Sequence, residues 1–123
     1  MKNIIIGIIF IGISPLSVCA MSQDEQTNLF NIKNQYSQSD KELNELYKSQ
    51  ILAYKKEGGK FYGQNESRDV YLKTSQLAWI KMRDAGCDYE TYESKIGTGF
   101  SSIYAQCLLD KTNERIKYLK ENN

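Results

Sequence analysis

The chain has 123 residues, enough for one domain. Its 16 Lys and Arg stand against 15 Asp and Glu, and it contains no histidine. The balance argues against a partner held by excess positive charge, whether nucleic acid or an anionic membrane. The missing imidazole removes the usual general base and the commonest metal ligand.

Residues 1–20 differ from the rest. Lys2 precedes the apolar run IIIGIIFIGI, followed by Ser14–Pro15 and the small-residue end VCA. A charged start, a short apolar centre and an A-x-A-like end predict a secretory signal peptide cut after Ala20, with Val18 at the −3 position. The run is short for a transmembrane span, so none is expected in the mature chain. The alternative is a lipoprotein acylated on Cys19, although bulky Val18 precedes that cysteine. Removing residues 1–20 takes away Lys2 and no acid, which leaves residues 21–123 as a formally neutral domain. It also takes away Cys19 and leaves Cys87 and Cys107. In an exported domain these most simply form one disulfide; two free buried thiols are the alternative.

The only proline is Pro15, so no proline interrupts a helix beyond it. Glycines at 58, 59 and 63, then at 86, 97 and 99, divide the chain into blocks 22–57, 66–86 and 100–121. The first block opens with Ser22-x-x-Glu25, a capping-box pattern, and Ser39-x-x-Glu42 repeats it inside. The block is therefore one long helix, or two with a break near Ser37–Ser39. Leu29, Ile32, Tyr36, Leu43, Tyr47, Gln50 and Tyr54 recur at helical spacing on one stripe. Asp40 falls inside that stripe and Asn44 on its edge.

In the second block Leu72, Trp79, Ile80 and Cys87 share a side, with Gln76 and Arg83 between them. Tyr71, Ala78, Met82 and Ala85 form a second, weaker apolar side, which predicts a central position in a bundle. In the third block Tyr104, Leu108, Thr112, Arg115 and Leu119 share a stripe with Arg115 near its centre. The pattern predicts an all-α fold, a small bundle of three to four helices stapled by one disulfide.

Asp40, Arg83 and Arg115 thus lie on faces that should be buried. Buried charges are normally paired and hydrogen-bonded. The expectation is an internal structural network in which Asp40 accepts from Arg83, Arg115 or both. Gln76, Asn44 and Thr112 would satisfy the remaining groups, and Trp79 would stack on a guanidinium. The alternative is that these residues line an exposed cleft.

The same residues carry a family pattern. It runs D-x-x-L-N-x-x-Y, then S-Q-x-x-W-x-x-x-R-D-x-x-C, then C-x-x-x-x-T-x-x-R-x-x-x-L. The matches are Asp40, Leu43, Asn44 and Tyr47; Ser75, Gln76, Trp79, Arg83, Asp84 and Cys87; and Cys107, Thr112, Arg115 and Leu119. In these segments the chain resembles the lysozyme-inhibitor LprI-like N-terminal domain family. The resemblance implies a small, exported, largely helical domain that binds protein, with lysozyme inhibition as the family-led activity. Many relatives carry a further cysteine near the position of Asn31, which this chain lacks.

Three functions compete. The first is an exported envelope module that inhibits a lysozyme-type peptidoglycan hydrolase. Such enzymes work in a cleft between two carboxylates, so an inhibitor needs a protruding loop that plugs it. Two loops qualify as partner-binding candidates, on their aromatic and basic residues. EGGKFYGQNES (57–67) carries Lys60, Phe61 and Tyr62 at its tip. DYETYESKIGTGFSS (88–102) carries Tyr89, Tyr92, Lys95 and Phe100. Against this, Phe61, Tyr62 and Phe100 could instead fold back over the bundle ends. The second function is a periplasmic immunity or stress-protective protein with another protein partner. The third is an enzyme, which would need a carboxylate pair such as Glu90 and Glu93 in a solvated loop that offers nothing to shift their pKa. The residues favour a protein-binding role in the periplasm or outside the cell, without catalytic residues, metal or cofactor; the oligomeric state stays open.

Overall fold

A computed structural model describes residues 21–123. The predicted signal peptide and the Cys19 alternative fall on residues 1–20, outside the described residues. Three α-helices make up the fold: α1 (Gln23–Glu57), α2 (Arg68–Glu90) and α3 (Phe100–Glu121). A single 3-10 turn, Tyr92–Ser94, lies between α2 and α3. No strand occurs among the described residues, in keeping with the all-α expectation.

The first block is one helix of 35 residues. Ser22 caps it, its Oγ accepting from the Glu25 amide at 3.2 Å. Ser39-x-x-Glu42 starts no second helix. No glycine or proline interrupts 23–57, and the buried stripe runs through the pattern, so the helix continues. Gly58 ends α1 with φ 65°, donating its amide to the Tyr54 carbonyl at 3.2 Å, and Lys55 and Lys56 complement the dipole there.

Contacts fix the helix directions. Near the start of α1, Ile32 packs with Ala105 and Leu109 of α3. Near its end, Gln50 donates to the Leu119 carbonyl at 2.9 Å and the Tyr54 hydroxyl to Asn123 Oδ1 at 3.2 Å. So α1 and α3 run parallel. The α2 helix runs against both: its start meets the end of α3 through Arg68 and Asn122, and its end meets the start of α3 through Cys87–Cys107. The disulfide has an S–S length of 2.05 Å and joins residues 20 apart. Loop closure of that size contributes about 3 kcal/mol in the chain-entropy account.

The core forms two apolar clusters. Leu43, Trp79, Ile116 and Leu119 form one, flanked by Leu46 and Leu72. Ile32, Ala105 and Leu109 form the other, flanked by Leu29 and Tyr36. Thr112 lies on α3 between the two and is fully buried.

Three expectations need correction. The second helix does not stop at 86; it continues through Cys87 to Glu90, because Gly86 is tolerated where the helix approaches Lys111 and a Cβ would meet that side chain at 3.4 Å. Nor is α2 the central helix. It buries only Gln76, Trp79 and Cys87, whereas α3 buries seven residues along its length. The second apolar side of α2 faces solvent, with Tyr71 and Met82 both exposed. On α3, Thr112, Arg115 and Leu119 of the expected stripe are buried, but in its first half Ala105 and Leu109 are buried in place of Tyr104 and Leu108, which are only partly covered.

Candidate protein-binding site

The polar residues on the helix faces come together as two separate arginine sites. Arg115 of α3 is 7% exposed. Its Nε donates to Gln76 Oε1 at 3.0 Å and its second terminal nitrogen to Ser75 Oγ at 2.9 Å. The guanidinium carbon lies 5.7 Å from the Trp79 ring centre and 5.1 Å from that of Tyr118. Burial lowers its pKa from the ordinary value, with the Tyr118 hydroxyl opposing. No carboxylate lies within ion-pair distance of Arg115 among the described residues.

Arg83 of α2 donates through Nε to Asp84 Oδ1 at 2.8 Å. It sits 5.1 Å from the Trp79 ring and 5.9 Å from the Tyr36 ring. Asp40 of α1 is 3.9 Å from Arg83, too long for a hydrogen bond, and its side chain is 44% exposed. Asn44 is exposed and donates back to the Asp40 carbonyl and carboxylate. Of the alternatives expected for Asp40, the pairing with Arg83 occurs as a long ion pair, and the one with Arg115 does not, so Asp40 does not join the two arginines. Arg115 is satisfied by neutral oxygens, and Arg83 by its own chain neighbour. Thr112 does not complete a network either, because its buried hydroxyl has no partner. Gln76, Trp79, Thr112 and Arg115 are buried between the helices, whereas Asp40, Asn44, Ser75 and Asp84 lie at the rim.

The bundle ends do offer surface. At one end, residues 58–67 bridge α1 and α2. The Gln64 amide donates to the Phe61 carbonyl at 3.0 Å, and Gly63 takes φ 80°. Positive φ at the third residue is what a type II turn requires, and it puts Tyr62 on the outer corner. Phe61 and Tyr62 are 88% and 103% exposed, so neither folds back on the helices. Lys60 beside them is exposed. Beneath the turn is a cleft of about 520 Å³ whose wall includes Tyr54, Lys60, Phe61, Arg68 and Tyr71. Arg68 stacks 4.3 Å above the Tyr54 ring and donates to the Asn122 carbonyl, which ties the loop base to α1 and α3.

At the other end, residues 91–99 bridge α2 and α3. Thr91 is buried and its hydroxyl donates to the Cys87 carbonyl at 2.7 Å. Tyr89 on the last turn of α2 and Tyr92 on the 3-10 turn stand in solvent, as do Lys95 and Ile96. Phe100 does not: it is partly covered and packs on Tyr104 at 5.7 Å between ring centres. Of the carboxylate pair Glu90 and Glu93, Glu90 is bound to Lys111 at 2.7 Å, while Glu93 lies open to solvent. The α2 helix separates the two loops by roughly 35 Å at 1.5 Å per residue, so one cleft can take only one of them.

Some of this went unseen in the sequence. Ser75 and Asp84 lie in the motif, yet their roles as arginine acceptors depend on rotamers that helical spacing does not specify. Ile96, fully exposed, was hidden in a loop without periodicity. Among the described residues no helix is long and apolar enough to cross a membrane. No group of histidine, cysteine and carboxylate side chains there is placed to hold a metal ion.

An uncharacterised protein of Rhizobium meliloti (strain 1021) is 32% identical over 89 residues, covering 70% of this chain. The chain spans 64% of that relative's length. No solved structure matches. A family profile described as lysozyme inhibitor LprI matches residues 19–119, nearly all of the described helices together with both ends. The chain belongs to the lysozyme inhibitor LprI family.

Proposed function

We propose that this chain is an exported protein-binding module that inhibits a lysozyme-type hydrolase of the bacterial envelope. The observation that carries the reading is the exposed aromatic turn at Phe61–Tyr62, set on a helical frame whose family is described as lysozyme inhibitors. Two aromatic rings held in water at a defined turn are unfavourable in isolation, and they are what an interface anchor looks like. The disulfide and the Arg68–Tyr54 stack stiffen the frame, which lowers the ordering cost on binding. A disulfide is also at home in an oxidising compartment, in line with export to the periplasm or beyond. Inhibition works here by occupying the enzyme's cleft, with no covalent step.

The test is a cell-wall clearing assay with the oxidised protein and purified lysozymes of different structural classes. Dose-dependent, saturable slowing of lysis of at least one class is expected. A folded sample that slows none of them overturns the reading, and the immunity or stress-protective role with another partner becomes the one to pursue.

A further inference from the structure

The second apolar side of α2 has no neighbour among the described residues. Tyr71, Ser75, Ala78, Met82, Ala85 and Tyr89 line it, and all are exposed. They recur at alternating intervals of four and three residues, the 3.5-residue period of a helix–helix seam. In the second half of the seam small and large side chains alternate. Met82 is 66% exposed and Tyr89 83% exposed, with Ala78 and Ala85 before each of them. One flank of the seam, Leu72 and Trp79, turns into the bundle core. The other flank carries Lys81 and Asp88, both exposed. Neither has an oppositely charged side chain within ion-pair distance among the described residues.

We propose that this face docks a second copy of the chain, the two α2 helices packing antiparallel about a two-fold axis midway between Met82 and Ala85. The proposal goes beyond the inhibitor reading and does not depend on it. Side-chain size and charge select the register. With the axis there, Met82 of each copy meets Ala85 of the other, and Tyr89 meets Ala78. Each large side chain fills the space beside a small one. In the same register Lys81 of each copy faces Asp88 of the other, so both unpaired charges find partners on the flank of the seam. Moving the axis to midway between Ala78 and Met82 would set Tyr89 against Tyr71 and Lys81 against Lys81. Parallel pairing would set Lys81 against Lys81 and Asp88 against Asp88, which repel. The face is thus complementary to itself in one arrangement, which is what a two-fold interface requires. The paired segment, Ala78 to Tyr89, is roughly 17 Å long at 1.5 Å per residue. That is well short of a standard interface of about 800 Å² a side, so the dimer is weak and reversible, with a dissociation constant on the order of 100 μM. The 58–67 turns precede the paired segments and stay free at opposite ends of the dimer.

Sedimentation equilibrium of the oxidised protein, from about 10 μM to about 1 mM, measures the self-association. The wild type should show a monomer–dimer equilibrium. Met82→Glu places an acid on the seam of each copy and should weaken the dimer at least about 20-fold. Lys81→Asp sets acid against Asp88 and should weaken it at least about 5-fold at low salt. Adding Asp88→Lys to Lys81→Asp should restore the dimer, because the facing charges are again opposite. All three side chains are exposed, and circular dichroism verifies the helix content of each variant. A wild type that stays monomeric up to about 1 mM overturns the proposal, as does a dimer that Met82→Glu leaves intact. A dimer that Met82→Glu breaks but the double charge exchange fails to restore overturns the antiparallel register.

Discussion

Replacing Arg115 with alanine should lower the melting temperature by roughly 15 °C. The side chain donates two short hydrogen bonds, to Gln76 and Ser75. At about 1.5 kcal/mol for each bond from a charged donor, the loss is about 3 kcal/mol. Its two aromatic faces, Trp79 and Tyr118, add about 1 kcal/mol together. Against this, removing a buried cation that faces no carboxylate relieves its desolvation, by about 1 kcal/mol. The net is about 3 kcal/mol, and a domain of this size moves by about 5 °C per kcal/mol. Asp40→Ala should cost under about 0.5 kcal/mol, because the carboxylate is half exposed and 3.9 Å from Arg83. Urea and thermal unfolding of both variants, followed by far-UV circular dichroism, decide the matter. A double-mutant cycle between Arg115→Ala and Gln76→Ala should return about 1–2 kcal/mol of coupling. If Asp40→Ala proved the more damaging of the two single changes, the separation of the two arginine sites would be refuted.

Other consequences are measurable in the same way. Thr112→Val removes a buried hydroxyl without a partner at nearly constant shape, and should stabilise the protein by about 1 kcal/mol; destabilisation of that size would show a bonded hydroxyl. Cys87→Ser with Cys107→Ser should cost about 3 kcal/mol, read as a lower urea midpoint that matches reduction of the wild type. Gly63→Val forces a β-branched residue to φ 80°; it should weaken inhibition strongly and leave the melting temperature nearly unchanged, since the turn touches little of the core. Burial raises the pKa of Tyr36, with Arg83 opposing and Asp40 and Asp84 adding to it. Its neutral form is therefore favoured by folding, so that contribution is complete below the unfolded value near 10 and is lost as pH rises through the higher folded value. Alkaline titration of tyrosine absorbance against Tyr36→Phe would show a late-ionising group missing from the variant.

Helices, disulfide and family were readable because each rests on local or compositional physics. Glycine clusters at 58–63 and 97–99 mark real breaks, and α3 begins and ends within the predicted block 100–121. Ile32, Leu43, Gln50 and Tyr54 are all buried on the predicted α1 stripe. The failures are of tertiary origin. Tyr71, Ala78, Met82 and Ala85 have perfect helical spacing, yet three helices cannot cover both sides of α2. Asp40 has the right periodicity for burial, but the bundle leaves its carboxylate at the rim, and Arg83 takes the nearer Asp84. At the ends, the sequence named aromatic candidates but not which of them stay in solvent. Phe100 and Tyr62 look alike in a loop, and only packing separates the ring held by Tyr104 from the ring left in water.

The most direct test of the central claim is competition for the enzyme's cleft. A lysozyme that the protein slows would be titrated with it calorimetrically, with and without saturating chito-oligosaccharide in the cleft. Occupation of the cleft by the exposed 58–67 turn predicts that the sugar weakens binding in proportion to its own occupancy and that no ternary complex forms. Unchanged affinity in the presence of bound sugar would contradict it and place the contact away from the catalytic cleft.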